Sequence, residues 1–541
     1  MKFCLCNFYT KDNVFFVDWL INQKKHELLS LDDIDEADFL IFDMKMIRDT
    51  DIQKYRYVPK ILCSGENLYW WYDFWSGSKN SSKETIQSFV SQFELSLLTI
   101  NDLQIQPDPL IKSTISKEIV WMPYASIPFN LPEDLSKYPF PEPQKKSKFC
   151  AFCVRNGSEL EGCRLRTQMF HELSKYQKVD SVGPYLNNTG FNAPIDGFDE
   201  FLADYKFMIC FENSSAPGYI TEKLIRCFVA HVVPIYWGHE SIKEYINMDA
   251  VVWVDPNNMQ EAIDRIKFLN ENAEAYEKCL RAPPLRNVQI FDRSKVFSAL
   301  DRFLSQIQRD TTKKWDFVFQ IDNCKKYANR RENQLNTWCR DIPDNVLWYH
   351  VIGDPTLKET VHLPDEHLLL VPCGDTYEAL PQKNLESYKF IYKNYPDIYA
   401  VFKTDDDTII NVPKLMKYLY KYKHVPYYGN TLTNVKDKNN YGSDYITDKE
   451  HFPEEGIDVP RTKFVLGAAM IMNRDVLKEI IDSHVLEKAL IYGDLFIGSV
   501  VSKKYEVCSI RLYEYEFITE LPMFEFTRYM PQLTNYFETY V

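Results

Sequence analysis

The sequence lacks long apolar runs, an excess of basic residues and abundant glycine. No stretch approaches the ~18 apolar residues of a membrane-spanning helix, and the apolar run in Met1–Tyr9 is too short for a signal peptide. Basic residues number 63 against 77 acidic ones, for a net charge of −14, which excludes a general basic surface for nucleic acid or anionic lipid. With 17 glycines in 541 residues, collagen-like chains are excluded too. We therefore expect a cytoplasmic protein with no membrane span and no nucleic-acid partner.

The composition that is present belongs to folded globular chains. Hydrophobic residues make up 45% and aromatic residues 15%, and the length is more than three times the ~150 residues of a usual domain. Thirteen cysteines are an odd number and several lie in apolar runs, so we expect buried free thiols. Cys150 and Cys153 are the one pair with zinc-like spacing, but no second pair accompanies them, which disfavours a zinc site.

Strand-like and helix-like segments alternate along most of the chain, a pattern typical of α/β domains. The proline-rich and charged segment Tyr138–Lys146 indicates a linker, and the charged segment Arg309–Lys314 indicates a second boundary. We predict three blocks, covering residues 1–140, 141–310 and 311–541.

The second block contains a loop suited to a phosphorylated ligand. A strand-like run, Lys206–Phe211, precedes the loop, and a helix-like segment, Thr221–His231, follows it. Doubly wound sheets bind phosphorylated ligands where a strand end leads into a helix. Lys223 can neutralise a phosphate from the first helical turn, and three neighbours can hold hydroxyls: Glu212, Asn213 and Glu222. The alternative is an ordinary loop with Thr221 as helix cap and a solvated Glu-Lys pair.

Three motifs mark this block: Tyr205-Lys-Phe-Met-Ile-Cys-Phe-Glu-Asn-Ser214, Gly218-Tyr-Ile-Thr-Glu-Lys-Leu224 and Val233-Pro-Ile-Tyr-Trp-Gly238. Together they closely resemble the signature of the α1,3/4-fucosyltransferase family, and the resemblance extends over residues 1–300, weakly before residue 148. It implies two Rossmann-like halves, a GT-B-like architecture, with GDP-fucose bound mainly by the second half. It also implies inverting transfer of fucose to a GlcNAc or glucose hydroxyl without a strictly required metal.

The same resemblance implies roles for single residues. Lys223 would contact the diphosphate, and the other donor contacts would come from Glu222 and Asn213 at the ribose and fucose and from Tyr219 at the nucleotide. A further arginine on the diphosphate is expected, for which Arg166 fits the register best and Arg164 is the competing choice.

Inverting transfer also needs a carboxylate that takes the acceptor proton. Ser64-Gly-Glu-Asn67 resembles the element that carries this base in bacterial-type members, so Glu66 is the candidate base. The alternative is a simple Gly-Glu-Asn turn. The aromatic run Tyr69–Trp75 just after it could stack on sugar faces or belong to the core, and the sequence leaves both open.

The third block carries an acidic triplet, Asp405-Asp-Asp407, directly after the strand-like run Ala400–Lys403. Carboxylates that converge at a strand end are what a hard divalent cation bridging two phosphates requires, although a solvated loop has the same composition. Around the triplet, several motifs resemble in order the β1,3-galactosyltransferase and fringe family: Arg331, Trp338, Val351–Asp354, Gly374–Tyr377, Lys383–Leu385 and Phe402–Asp407. That resemblance covers residues 315–510 and implies one Rossmann-like, GT-A-like domain that uses a UDP-sugar with Mn²⁺ and inverts the anomeric carbon.

The second resemblance also implies site residues. Asp405, Asp406 and Asp407 would form the metal motif, with Asp407 the direct ligand. Asp405, Lys383 and Arg331 would lie at nucleotide-binding positions. Asp494 would be the catalytic base, although Gly493 stands where that family has a glutamate, a departure that bears on acceptor recognition more than on proton abstraction.

The sequence therefore predicts a bifunctional inverting glycosyltransferase with GDP-fucose and a UDP-sugar, preferably UDP-galactose, as donors and glycans or glycoproteins as acceptors. Two alternatives stay open: that only the fucosyltransferase module is active, or that the chain is a non-catalytic glycan-binding scaffold. The scaffold is disfavoured because binding alone needs no general base. The sequence does not indicate an oligomeric state.

Overall fold

The protein is described here by a computed structural model. The described residues are 1–6, 8, 15–44, 52, 54–55, 58–77, 81–105, 115–123, 146–155, 157–287, 290, 292–308, 312–439, 456–489, 491–510 and 518–520. The chain divides into two compact units: unit 1 comprises Met1–Gln106 and Ser116–Gln306, and unit 2 comprises Pro107–Ile115 and Ile307–Val541. The boundaries predicted at 140/141 and 310/311 lie outside the described residues.

Unit 1 contains two parallel sheets. The first has the order β2-β1-β3-β4-β5-β6, with strands β1 Lys2–Cys6, β2 Glu27–Leu28, β3 Phe39–Asp43, β4 Lys60–Ser64, β5 Leu95–Leu98 and β6 Glu118–Trp121. The second has the order β11-β10-β9-β7-β8, with strands β7 Lys148–Phe152, β8 Val179–Ser181, β9 Tyr205–Ile209, β10 Val233–Tyr236 and β11 Val252–Trp253. Because the strands are parallel, the loops that follow their carboxyl ends all lie at the same edge of each sheet.

Helices connect the strands and cover the second sheet on both faces, where two buried apolar clusters lie. The helices of this part of the chain are α1 Phe15–Asp18, α2 Leu68–Ser76, α3 Lys83–Val90, α4 Glu161–Ser174, α5 Phe198–Leu202, α6 Glu222–Val229, α7 Met259–Glu271, α8 Ala273–Leu280 and α9 Ser294–Ile307.

Unit 2 contains one mixed sheet of eight strands in the order β14-β15-β13-β12-β16-β21-β18-β22. The strands of the unit are β12 Phe317–Asp322, β13 Val346–Gly353, β14 Val361–Leu363, β15 Leu368–Val371, β16 Ala400–Asp405, β17 Thr408–Ile410, β18 Tyr427–Asn434, β19 Lys438–Asn439, β20 Ile457–Asp458, β21 Thr462–Asn473, β22 Cys508–Ser509 and β23 Ile518–Glu520. Its helices are α10 Ala328–Leu335, α11 Leu380–Asn394, α12 Val412–Lys421, α13 Arg474–Ser483 and α14 Gly493–Val501. A parallel core, β15-β13-β12-β16, is extended by the antiparallel strand β21.

The predicted α/β class is confirmed, and single elements differ at their ends. The sequence predicts one helix over Met259–Glu277, whereas the structure ends α7 at Glu271 and starts α8 at Ala273. The break falls at Asn272, whose side chain accepts a hydrogen bond from the backbone N–H of Ala275 and so caps the new helix.

None of the thirteen cysteines, all of which lie in the described residues, forms a disulfide, and most of them are buried. Among the described residues there is no group of three or more acidic, histidine or cysteine side chains that could hold a metal ion. In the same described part of the chain, no helix has the length and apolar character to cross a membrane.

One close contact fixes the second sheet's loop against helix α4. Gly162 lies in the first turn of α4, and its N–H donates to the backbone oxygen of Asn213 at 3.1 Å. A Cβ atom at this position would lie 1.9 Å from the backbone oxygen of Glu212. Only glycine allows the helix to approach the loop this closely.

We expect Gly162→Ala to destabilise unit 1 by about 1–3 kcal/mol, because the loop or the helix must shift to accommodate the methyl group. The measurement is the urea-unfolding midpoint of the full chain. Gly493→Ala is the matched control, because it also adds a methyl group in the first turn of a helix but meets its nearest neighbour, Leu486, at 3.4 Å. Equal midpoints for Gly162→Ala and the unmodified chain would contradict the close approach.

Candidate active sites

The loop between β9 and α6 is built around a buried carboxylate, Glu212. Its oxygens accept hydrogen bonds from the Thr221 N–H at 2.8 Å, the Thr221 hydroxyl at 2.7 Å and the Tyr236 hydroxyl at 3.0 Å. Burial raises the pKa of Glu212, and the nearby ammonium group of Lys223 opposes that rise. Glu212 therefore holds the loop against the helix start, and its described partners are all protein groups.

Lys223 lies in the first turn of α6 among acidic groups. Its ammonium group donates to the Thr221 hydroxyl at 3.0 Å and lies 3.5 Å from Glu222 and 3.7 Å from Glu212. Burial lowers the pKa of Lys223, but Glu222 and Glu212 outweigh it and the net pKa is raised. The side chain is 24% exposed, so it is partly open to solvent beside the first turn of α6.

Arg166 comes from α4 to the same loop. Its guanidinium donates to the side-chain oxygen of Asn213 at 3.0 Å, and burial lowers its pKa. Arg164 is exposed on the same helix. The arginine that the structure brings to this loop is therefore Arg166.

Glu66 lies after β4 in the first sheet and contacts the loop of the second sheet. The hydroxyl of Tyr219, which is fully buried, donates to the Glu66 carboxylate at 2.6 Å. The backbone oxygen of Glu66 accepts from the Ser64 and Thr99 hydroxyls, each at 2.8 Å. The backbone and the carboxylate of Glu66 are thus both held in position.

Other contacts join the two sheets of unit 1 at the same point. Asn67 caps α2 and donates to the Ser214 hydroxyl at 2.8 Å. The Trp121 indole N–H donates to the backbone oxygen of Gly218 at 3.2 Å. Gly218 has φ +76°, and a Cβ there would lie 2.7 Å from the side chain of Asn101, so both its conformation and its surroundings require glycine.

In unit 2 the acidic triplet begins at the end of β16. Asp405 pairs with Lys403, whose ammonium group also lies 3.2 Å from Asp322. Asp406 is buried and accepts from Arg330 at 2.7 Å, while Asp407 lies 3.8 Å from the same arginine. Burial raises the pKa of Asp406 to about 6 in spite of the Arg330 guanidinium.

Hydrogen bonds from uncharged side chains stabilise the turn that carries the triplet. The side-chain amide of Gln334 donates to the backbone oxygens of Asp405 at 3.3 Å and Thr408 at 3.2 Å. His350 lies 3.0 Å from the Gln334 side-chain oxygen, and burial lowers the pKa of His350 to about 3. His350 is therefore an uncharged donor that fixes the orientation of the Gln334 amide.

Asp494 lies close to this cluster, in the first turn of α14. Its carboxylate accepts from the Gly467 N–H at 3.2 Å. A Cβ on Gly467 would lie 3.4 Å from the Lys403 ammonium and 3.8 Å from the Asp494 carboxylate, so all three groups share one small region. Burial raises the pKa of Asp494, and Lys403 opposes the rise.

The two basic residues predicted at the nucleotide have protein partners. Lys383 is buried and donates to the Asn323 backbone oxygen at 2.7 Å and to Asp375 at 2.8 Å. Arg331 donates to the Glu366 backbone oxygen at 2.5 Å. The arginine that contacts the triplet is the neighbouring Arg330.

The triplet fits a divalent cation only in part. Asp405 and Asp407 have side chains 36% and 30% exposed, and Mg²⁺-like cations are commonly held by one or two carboxylates together with substrate phosphates. Asp406 is committed to Arg330. Asp405 pairs with Lys403, and the described residues, the triplet included, show no group of three or more acidic, histidine or cysteine side chains that could hold a metal ion.

Two family models match the chain. The first, described as glycosyltransferase family 10 (fucosyltransferase) C-term, matches residues 143–336, and the second, described as galactosyltransferase, matches residues 329–512. The chain is thus similar to two glycosyltransferase families, each over one of these ranges. Both resemblances predicted from the motifs are confirmed. The fucosyltransferase-family region contains Glu212, Tyr219 and Lys223, and the galactosyltransferase-family region contains the triplet and Asp494.

The chain is also similar to curated fucosyltransferases. The α-(1,3)-fucosyltransferase FucT of Helicobacter pylori is 33% identical over 183 residues, which are 33% of this chain and 37% of that protein. The human GDP-fucose protein O-fucosyltransferase 3 is 33% identical over 122 residues, 21% of this chain and 26% of that protein. The chain thus spans about a third of the length of these relatives or less. A crystal structure of an α1,3-fucosyltransferase with GDP-fucose aligns at 20% identity and TM-score 0.40, covering 57% of this chain and 91% of that one.

Sequence reasoning missed residues whose role depends on packing. The sequence predicts Arg331 at the nucleotide, whereas Arg330 is the arginine that contacts the triplet. No local pattern marks Gln334 and His350, which act through a network that forms only in the folded chain. A signal did exist for Asn67, since an asparagine before an apolar helix is typical of an N-cap.

We expect Arg330→Met to destabilise unit 2 by about 3–5 kcal/mol, because it leaves the buried Asp406 carboxylate without its cation. Urea unfolding of the full chain measures the loss, and lowering the pH through the raised Asp406 pKa should reduce it, since the protonated carboxyl needs no cation.

The matched control is Arg331→Met, which removes the same charge one residue away but contacts a backbone oxygen rather than a buried carboxylate. The assignment of Arg330 as the partner of Asp406 fails if both variants lose stability equally.

Proposed function

We propose that the protein is a bifunctional inverting glycosyltransferase. The fucosyltransferase-family region would transfer fucose from GDP-fucose, and the galactosyltransferase-family region, as a GT-A-like module, would transfer a hexose, preferably galactose, from a UDP-sugar. The observation that carries the proposal is the 2.6 Å hydrogen bond between Tyr219 and Glu66, which joins a candidate base from the first sheet to the donor loop of the second.

In unit 1 the Glu66 carboxylate takes the proton of the acceptor hydroxyl as its oxygen attacks the fucose anomeric carbon. The bond between that carbon and the diphosphate breaks on the opposite face, and GDP leaves with the electron pair. Tyr219 keeps one carboxylate oxygen in place through its hydroxyl, so the other oxygen is directed to the acceptor.

The leaving diphosphate needs cationic groups in fixed positions. Lys223 supplies a charged ammonium group at the start of α6, and Arg166 supplies a guanidinium oriented by Asn213. Glu212 contacts the Thr221 cap and lies near Lys223, so its role is to position these groups, whereas Glu222 and Asn213 remain candidates for the ribose and fucose hydroxyls.

In unit 2 the base is Asp494. The Gly467 N–H orients its carboxylate, and the nearby Lys403 ammonium favours the ionised form that can accept a proton. Asp405 and Asp407 would hold Mn²⁺, which supplies positive charge at the UDP diphosphate when bound. If both modules act on one glycan, β1,3-galactosylation of a GlcNAc occupies O3, so fucose on that residue goes to O4.

The competing proposal is that only the fucosyltransferase module is active. It is favoured by the internal contacts of Lys383 and Arg331, which occupy two basic groups expected at the nucleotide. Loss of UDP-sugar transfer alongside intact fucosylation would support it.

We expect Glu66→Gln to reduce fucosyl transfer from labelled GDP-fucose to β-linked GlcNAc and galactose acceptors by about 10²–10⁴-fold, the usual contribution of a general base. GDP binding, measured by calorimetry, should be retained. Tyr219→Phe should lower kcat more than it changes the KM for GDP-fucose, because it removes only the bond that orients the base.

The control for both variants is Glu84→Gln, an exposed glutamate in the first turn of α3. Fucosylation at the unmodified rate by Glu66→Gln would rule out Glu66 as base, and absence of fucosylation by the unmodified chain on every acceptor would argue against the fucosyltransferase proposal itself.

For unit 2 we expect Asp494→Asn to abolish EDTA-sensitive hexosyl transfer from UDP-galactose while fucosylation continues. The pKa of Asp494 is raised, so its carboxylate becomes protonated at a higher pH than an ordinary aspartate. As the pH is lowered, kcat should therefore begin to fall at a pH above about 4, the usual pKa of an aspartate. Asp475→Asn, in the first turn of α13, is the matched control.

A further inference from the structure

All three carboxylates of the triplet lie next to a basic side chain of the same unit. The Lys403 ammonium group donates to Asp405, and the Arg330 guanidinium lies 2.7 Å from Asp406 and 3.8 Å from Asp407. A hard divalent cation is bound through carboxylate oxygens. The two basic side chains therefore compete with such a cation for the same carboxylates.

Lys403 has two acidic partners that differ in their exposure to water. Its ammonium group lies 3.2 Å from Asp322, whose side chain is 3% exposed, and it also contacts Asp405, whose side chain is 36% exposed. Breaking a buried ion pair is strongly unfavourable, whereas an ion pair that is open to water contributes little. The contact with Asp322 is therefore fixed, and the contact with Asp405 is the one that can be exchanged.

Further hydrogen bonds hold the buried partner of Lys403 in place. The two carboxylate oxygens of Asp322 accept from the side-chain amides of Gln320 at 3.0 Å and Asn384 at 2.9 Å. Asp322 ends strand β12 and lies directly opposite Asp405 of β16 in the sheet register. Lys403 is thus anchored beside Asp405 by a carboxylate that is itself fixed.

The sheet does not depend on the contact between Lys403 and Asp405. Strands β12 and β16 pair in parallel in one register along their whole length. The turn that begins at Asp405 has its own hydrogen bonds, among them the one from Gln334 to the Asp405 backbone oxygen at 3.3 Å. Asp405 can therefore exchange Lys403 for another cation without loss of the strand pairing.

We propose that Lys403 is an internal counter-ion that holds Asp405 until a divalent cation arrives together with a nucleotide diphosphate. This inference rests on the proposed UDP-sugar transfer and adds the order in which the triplet takes its ligands. The triplet alone offers a cation too few open oxygens, because Asp406 and Asp407 also contact a basic side chain. Phosphate oxygens supply the missing ligands, since Mg²⁺-like cations commonly combine one or two carboxylates with substrate phosphates.

The test measures Mn²⁺ binding to the full chain by electron paramagnetic resonance, with and without UDP. Without UDP, we expect Lys403→Met to bind Mn²⁺ about 10-fold more tightly than the unmodified chain, because Asp405 loses its internal cation and no like charge opposes Mn²⁺. Lys403→Arg keeps the positive charge and should restore the weak Mn²⁺ binding of the unmodified chain.

A second variant tests the exchange without unpairing the buried Asp322. Asp405→Asn should leave Mn²⁺ binding without UDP unchanged, because Lys403 already holds this carboxylate. With UDP, the same variant should weaken Mn²⁺ binding by about 10-fold, because Asp405 is then a ligand. If Lys403→Met does not fold, as its urea-unfolding midpoint shows, Asp405→Asn decides the proposal.

Lys389→Met is the matched control, since Lys389 also pairs with a glutamate in unit 2, Glu386, at 3.1 Å. Equal Mn²⁺ affinities of Lys403→Met and the unmodified chain would overturn the proposal, as would an equal gain in Lys389→Met or a 10-fold loss in Asp405→Asn without UDP. If the unmodified chain neither binds UDP nor transfers a hexose, the proposed UDP-sugar transfer fails, and the Mn²⁺ affinity of Lys403→Met without UDP still decides the role of Lys403.

Discussion

A carboxylate taken out of water must be given donors or a cation, and this requirement organises both candidate sites. In unit 1, Glu212 is buried, and the groups that satisfy it are the ones that define the loop: the Thr221 cap, the Tyr236 hydroxyl and the neighbouring Lys223. In unit 2, Asp406 is buried, and its carboxylate forms an ion pair with Arg330. In both units, a buried carboxylate thus positions the charged groups of the candidate site.

The candidate sites of the two units differ in the charged groups that they contain. Under the proposed function, both would stabilise a departing diphosphate and supply an ionised carboxylate as base. Unit 1 has fixed cations, Lys223 and Arg166, near its base. Unit 2 has clustered carboxylates around Lys403, with Asp494 beside them. In that proposal the cationic side chains of unit 1 would stabilise the diphosphate directly, whereas the carboxylates of unit 2 would do so through a bound cation.

The sequence predicted what depends on local order along the chain. The strand, loop and helix from Lys206 to Val229 appear where the pattern indicated them, because the apolar run and the Thr221 cap act locally. The choice between Arg330 and Arg331 depends on which helix face meets the triplet, and one residue changes that face by about 100°. The sequence leaves the aromatic run after Glu66 open between core and surface for the same reason: Tyr72 packs against the buried Phe89, while Phe74 is exposed.

The start of helix α2 has a consequence for how this region can vary. Asn67 fixes the first turn to Ser214, so everything further along the helix inherits its direction from that anchor. A helix turns by about 100° and advances about 1.5 Å per residue, so distance along the chain is converted into an angle around the axis. Insertion of one residue between Asn67 and Trp70 would rotate every later side chain of α2 by about 100° around the axis. The residues that follow Asn67 therefore keep a fixed angular register along α2.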